Sequence, residues 1–195
     1  MRKSRVETAK TRERIVKAAG AEFAANGISD AALARVMAAA GLTRGGFYRH
    51  FASKDQLVFE ACGQAVLSRV ASVELLTSGK SHEQALSLLM DHYVSRAHRD
   101  QPRTGCPLAA LGSELARRDK RTRRAVIAGF LQMSRLIASH LETVPIRKRA
   151  ERSMAIVAAM VGAVTLARIA PDSGMSDAVL AATRAYIIRS VRHRR

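Results

Sequence analysis

Tryptophan is absent from the chain, and Phe and Tyr together make up only 4% of it. A core without large rings must be filled by aliphatic residues and alanine. Closely packed helices suit that composition, because alanine costs least in a helix. Cysteine is scarce too. Cys62 and Cys106 are too few for a disulfide framework and read as thiols of a reducing, cytoplasmic compartment. Acidic residues are outnumbered: 16 Asp and Glu face 33 Lys and Arg, a net charge of +17. Such a surplus favours polyanionic partners, and plain solubility needs far less charge. Nucleic acid and anionic membrane both fit. The longest apolar stretch, Ser153 to Ala167, is closed by Arg152 and Arg168. It falls short of the ~20 residues that span a bilayer, so no membrane partner is expected. The N-terminal segment is charged and polar, unlike a secretory signal. No run alternates as a strand would, and no repeat of fixed period is present.

What is there is helical periodicity. Of the 195 residues, 48% are apolar, enough to bury a core without staples. The pattern predicts an all-α chain of about nine helices, a small N-terminal module followed by a larger helical bundle. A first helix over 8–25 places Ile15, Ala19 and Phe23 on one face, and Asn26-Gly27 stops it. A second, about 31–40, places Leu33, Val36, Met37 and Ala40 at i, i+3, i+4 and i+7. Gly41 breaks it, Leu42 fills the core, and Thr43 is placed to cap a short helix over 43–50. Ser53 and Gln56 have the capping-box spacing and open a helix to about Leu76. Ser81 and Gln84 repeat that signal for a helix over 81–99. Pro102 and Gly105 mark a loop, and Pro107 suits a first helical turn. Asp119 is placed to cap a helix reaching Glu142. Helices over 147–169 and 175–192 follow.

Helix, glycine-containing turn, short helix is a helix-turn-helix. Phe23, Leu33, Val36, Leu42, Phe47 and Phe51 would form the small core behind it. Such a short helix can lie in a major groove. Arg44 then points outward, and its bidentate fork suits guanine. Thr43, Tyr48 and His50 offer hydroxyl and imidazole groups to phosphates, which position a protein on DNA without reading it. Lys54 falls in the first turn of the next helix, where its charge and free N–H groups can share one phosphate. Gly45 and Gly46 should each cost about 1 kcal/mol relative to alanine in a helix. Either they admit close approach of the backbone to DNA, or the helix is barely regular and ends early. The expected domains are a DNA-binding head over 8–68 and a helical body over 69–195.

The stretch Ala39-Ala40-Gly41-Leu42-Thr43-Arg44-Gly45-Gly46-Phe47-Tyr48-Arg49-His50-Phe51, followed by Ser53-Lys54-Asp55-Gln56-Leu57, resembles the TetR family of bacterial regulators. Phe23 and Gly27 fall where that family keeps the end of its first helix. The resemblance covers about a third of the chain. It implies an Ω-shaped homodimer paired through its last two long helices, with DNA-reading heads at the N-terminus. It also implies a repressor that leaves a palindromic double-stranded operator when a small-molecule inducer binds the helical body. No enzyme activity and no cofactor are implied. One position departs from the family: its second helix usually starts with a phosphate-touching Thr, and here Ala31 follows Ser29 and Asp30. Asp30 can cap but would repel phosphate, so Arg35, one turn on, is the candidate replacement.

The remaining features admit two readings each. Arg2, Lys3 and Arg5, with Lys10, Arg12 and Arg14 behind them, suit the DNA backbone or minor groove, or a solvated tail. Residues 1–54 hold eleven basic and four acidic side chains, so more than half of the surplus lies beyond them. Arg117, Arg118, Lys120, Arg121, Arg123 and Arg124 form the densest cluster; Arg147, Lys148, Arg149 and Arg152 form another. Both lie at helix starts, where cations oppose the dipole. That points to an anionic counterpart (acidic ligand, flanking DNA, a neighbour's carboxylates) or to a solvated face. Cys106, in Gly105-Cys106-Pro107-Leu108 with Glu114-Leu115-Ala116 beyond, resembles the opening of the sensing domain in one subset of the family. A helix N-terminus lowers a thiol pKa, which makes Cys106 a candidate sensor of oxidants or electrophiles; the alternative is an inert small hydrophobe. His92 and His98 do not share a helical face, and no third ligand closes a metal site. Met90, Tyr93, Leu108, Phe130, Met133, Met154 and Met160 are candidates to line an inducer pocket, or simply core. Two rival functions remain: a sequence-neutral architectural DNA protein, which would bind any duplex equally, and a helical enzyme. No nucleophile–base pair or phosphate loop supports the enzyme.

Overall fold

The computed structural model describes residues 5–191. Arg2, Lys3 and the expected helix end at Arg192 lie outside that range. Among the described residues there are nine α-helices and no strand: α1 (Arg5–Asn26), α2 (Leu33–Ala39), α3 (Lys54–Thr77), α4 (His82–Tyr93), α5 (Arg96–Asp100), α6 (Pro107–Ala116), α7 (Lys120–Ser139), α8 (Ile146–Ile169) and α9 (Ser173–Val191). The count agrees with the expectation, but its parts differ. The short helix expected over 43–50 is a 3₁₀ segment, Arg44–Arg49. The helix expected over 81–99 breaks in two, because Val94 leaves helical geometry at ψ 71° and the Ser95 hydroxyl caps α5 through His98 N–H.

The local stop and start signals act as their chemistry requires. Gly27 and Gly41 take φ of +79° and +70°, a left-handed backbone that glycine adopts without a Cβ clash. Ser81 and Gln84 make a complete capping box. Asp119 accepts from the Thr122 N–H and hydroxyl at 3.0 and 2.7 Å. At α3 the box is shifted: Gln56 N–H donates to Ser53, while the Gln56 side chain accepts from Ala52 N–H.

The chain forms two compact units, and one cut does not separate them. The first comprises the residues up to Leu67 together with Pro102–Val126; the second comprises Ser68–Gln101 and the residues from Ile127 onward. A single boundary after residue 68 therefore leaves out a stretch that packs with the first unit. Ile15, Ala19, Phe23, Val36, Met37, Phe47, Phe51 and Leu57 are buried there, joined by Leu111, Leu115 and Val126 from the later stretch, with Leu33 and Leu42 partly buried against them. Burying a leucine is worth about 1.5–3 kcal/mol, so Leu111 and Leu115 contribute materially to this core.

In the second unit α8 packs along α9 and against α5. Helix α8 is long and apolar enough to cross a membrane by length and composition. Seven of its residues, Ser153, Ile156, Val157, Met160, Ala163, Val164 and Ala167, are buried in protein. Arg96 and Arg99 of α5 share Asp177 of α9 at 2.6 and 3.0 Å.

Candidate nucleic-acid interface

The reading segment is held from behind by aromatic packing. Phe47 and Phe51 are each 1% exposed and stack with centroids 5.6 Å apart. The Phe47 carbonyl accepts from His50 and Phe51 N–H. With Phe47 anchored, neighbouring side chains are turned out. Arg44 is exposed, and Tyr48 is 75% exposed. Thr43 is exposed and makes no side-chain cap, contrary to expectation. The first ring is closed instead by Gly46 N–H on the Thr43 carbonyl at 3.0 Å.

Gly45 and Gly46 lie in this 3₁₀ segment with no positive φ. A Cβ on Gly45 would meet no atom within 4 Å, and one on Gly46 would only touch the Met37 terminal methyl at 3.7 Å. Protein packing therefore does not require either glycine.

The cations around the segment divide by geometry. Arg12 points inward: its guanidinium lies 4.1 Å from the Phe51 ring centroid and donates to the His50 carbonyl and the Glu60 carboxylate. It therefore locks the C-terminal end of the segment and does not belong to an outward basic track. Arg5, Lys10 and Arg14 are exposed on α1. The Lys54 ammonium donates to the Ser29 and Ala31 carbonyls at 3.2 and 3.0 Å, tying the start of α3 to the turn before α2. Arg35 donates to Glu22 at 2.6 Å and to the Asp30 carbonyl at 2.9 Å, with its side chain still 56% exposed. Asp30 caps nothing. Helix α2 starts after Ala32, whose side chain has no acceptor to cap it, and Ala31 is buried in the core at 1% exposure.

Two carboxylates here escape periodicity arguments. Glu22 is 4% exposed and also receives Asn26 and, at 3.4 Å, Arg103. Burial pushes its carboxyl upward, but Arg35 and Arg103 outweigh that and hold it below the usual range. Glu114 of α6 accepts from Ile28 and Ser29 N–H at 2.9 and 3.2 Å. A Cβ on Gly27 would come within 2.9 Å of that carboxylate. Only the position of Glu22 beside Ala19 and Phe23 could have betrayed it as an acid on a buried face.

The other candidate residues are dispersed. Cys106 is the N-cap of α6 and 4% exposed, so a reagent reaches it only through local opening. Burial pushes the Cys62 thiol up to about 12. Met90, Tyr93, Met133 and Met160 are buried in the second unit, Phe130 is half-buried, and Met154 is 39% exposed. Leu108 instead packs on the core of the first unit. A cavity of about 720 Å³ in the second unit is lined by other residues, including His82, Gln84, His140, Glu142 and Ile188. His98 is buried with its ring on the Tyr93 carbonyl at 2.7 Å. Among the described residues no group of three or more His, Cys, Asp or Glu is arranged to hold a metal ion.

Comparison with known proteins places this geometry. Residues 15–61 match the model described as bacterial regulatory proteins, tetR family. Residues 83–180 match the model described as transcriptional regulator LmrA/YxaF-like, C-terminal domain. A probable acrEF/envCD operon repressor of Escherichia coli strain K12 is 37% identical over 82 residues, covering 42% of this chain and 37% of that protein. An uncharacterized HTH-type transcriptional regulator of Mycobacterium tuberculosis is 28% identical over 176 residues, 86% of this chain and 89% of that one. A TetR transcriptional regulator from Chloroflexus aurantiacus superposes with a TM-score of 0.75 at 28% identity, over 93% of this chain and 96% of its own. The chain spans between 33% and 52% of the length of the first curated relatives it matches.

Proposed function

Because the chain belongs to the TetR family of bacterial regulatory proteins, we propose that this DNA-binding regulator is a repressor that grips a palindromic operator as a homodimer and leaves it when a small molecule binds the second unit. The observation that carries the reading is the arrangement of residues 43–50. Buried Phe47 fixes the backbone, while Arg44 and Tyr48 project into solvent from a segment whose glycines no protein packing demands. Arg44 reads a base, Thr43, Tyr48 and His50 hold phosphates, and Gly45 and Gly46 let the backbone come close. Arg35 presents charge in the first turn of α2 and Lys54 at the start of α3.

Pairing through α8 and α9 is supported by the large apolar side chains they leave exposed, among them Leu166, Ile169, Met175 and Tyr186. A two-fold dimer matches a two-fold operator. A ligand that prefers the dimer with misplaced heads weakens DNA binding by a coupling of about 1–3 kcal/mol. Sensing through Cys106 needs a thiol that opens to solvent, and its burial favours the non-covalent route.

The deciding experiment is selection of duplexes from a random-sequence pool, followed by measurement with Arg44→Ala. Recovery of one palindrome, with discrimination at a single symmetric position relaxed by about 1–3 kcal/mol in the variant, supports the reading. Equal affinity of the wild type for every duplex would mean a sequence-neutral binder instead.

A further inference from the structure

The geometry points to a second DNA-contacting surface outside the helix-turn-helix: the exposed cationic face of the α6–α7 junction, made by Arg117, Lys120, Arg123 and Arg124, which takes hold of backbone phosphates that the reading segment does not reach. The inference rests on the DNA-binding reading above and adds to it a surface on a separate stretch of chain.

Four observations converge. First, this stretch belongs to the same compact unit as the reading segment, and residues 102–126 carry seven basic and two acidic side chains. Second, α7 leaves from the end of α3 that adjoins the reading segment. Arg118 meets Asp55 at 3.4 Å, Arg121 lies 4.0 Å over the Phe59 ring, and Ala125 Cβ lies 3.4 Å from where a Cβ on Gly63 would sit. The partners advance together, 118 with 55, 121 with 59 and 125 with 63, so the approach to α7 and its first turns run alongside the first three turns of α3, starting from the end that follows the reading segment. Third, the two carboxylates in the patch are already engaged. Asp119 caps Thr122, and Asp55 faces Arg118. Fourth, Arg117, Lys120, Arg123 and Arg124 are exposed and make no ion pair among the described residues. Lys120, Arg123 and Arg124 stand at i, i+3 and i+4, one solvent face opposite the buried Thr122 and Val126. Cations at a helix start oppose its dipole. An anion on this face offsets that cost, and the anion whose position the reading segment already defines is the DNA backbone.

The test compares full-length Arg117→Gln/Lys120→Gln/Arg123→Gln/Arg124→Gln protein with the wild type on two probes: the palindrome selected by the wild type, and a random-sequence duplex of equal length. Each lost phosphate contact lowers the slope of log affinity against log salt by about 0.9, so the slope should fall by about 2–4 and affinity by about tenfold or more. The ratio between the two probes should stay within about twofold, because phosphate contacts do not read sequence. Arg117→Lys/Arg123→Lys/Arg124→Lys should keep the wild-type slope. Arg147→Gln/Lys148→Gln, at exposed positions of the second unit, should also leave it unchanged, which separates contact from overall charge. A quadruple variant that melts like the wild type with an unchanged slope, or a control pair that moves the slope as much, would overturn the inference. If the pool yields no palindrome, the operator reading fails on its own, and the slope on the random duplex still decides this face.

Discussion

The starts of α7 and α8 are both rich in cations and both leave some in solvent, Arg147 and Lys148 at α8 among them, yet they use their remaining arginines differently. At α8, Arg149 donates to the Val144 and Glu142 carbonyls at 2.9 and 3.0 Å, and Arg152 donates to the Ser190 carbonyl at 2.9 Å. Those guanidiniums are bound to main-chain carbonyls of the same unit, so their charge is partly met inside the protein. At α7, the side chains of Arg117, Lys120, Arg123 and Arg124 stay in solvent. A run of arginines thus reads alike in both places, and nearby carbonyls decide whether it serves the fold or an outside partner.

The largest effect expected from this contrast is on stability. Replacing Arg149 and Arg152 with alanine should cost about 1.5–3 kcal/mol each, the usual worth of a hydrogen bond to a charged group. The midpoint of urea unfolding would show it, and an unchanged midpoint would erase the distinction between the two helix starts.

A second way to separate the units is by pH. Burial pushes His98 of the second unit down to about 4 from 6.5, helped by Arg69 and Arg168 against the opposing Tyr93 carbonyl. The unfolded chain therefore binds this proton first. The stability it confers is complete above pH 6.5 and drains away as pH falls towards 4, by up to about 3 kcal/mol. Glu22 of the first unit has the carboxylate pattern. Its contribution is present above the ordinary carboxylate range and lost only as pH falls below it. Unfolding curves of His98→Gln protein should lose the upper window alone.

Smaller still is Gly45→Ala. The fold should tolerate it or gain up to about 1 kcal/mol, while operator affinity drops as the methyl meets DNA. A loss of stability with DNA binding intact would reassign that glycine to the fold. Smallest of all, Arg123→Ala should move stability by no more than about 0.5 kcal/mol, in contrast to the arginines of α8.

What was legible in the chain was whatever is encoded locally. Pro107, Asp119 and the Ser81–Gln84 pair announce their helix starts through contacts three or four residues long. Gly41 and the Phe47–Phe51 pair announce the turn and its core. The glycine pair carried the signal for an irregular reading segment, and the structure resolves it as 3₁₀. What was not legible depends on distant pairing. Glu114 reaches Ile28 across 86 positions and Arg103 reaches Glu22 across 81, and hydrophobic periodicity carries no information about such pairs. Arg12 was misread for the same reason: its partners, His50 and Glu60, are remote in sequence.

The carboxylate of Glu114 on the Ile28 and Ser29 amides bears on how such a regulator can be recombined. Residues 8–68 look like a transplantable cassette, but the back wall of that cassette is supplied by Arg103, Leu111, Glu114 and Leu115. A hybrid that joins this reading head to a foreign body must carry over two separated stretches of gene, or choose a donor whose sixth helix already presents an acid to the turn after the first.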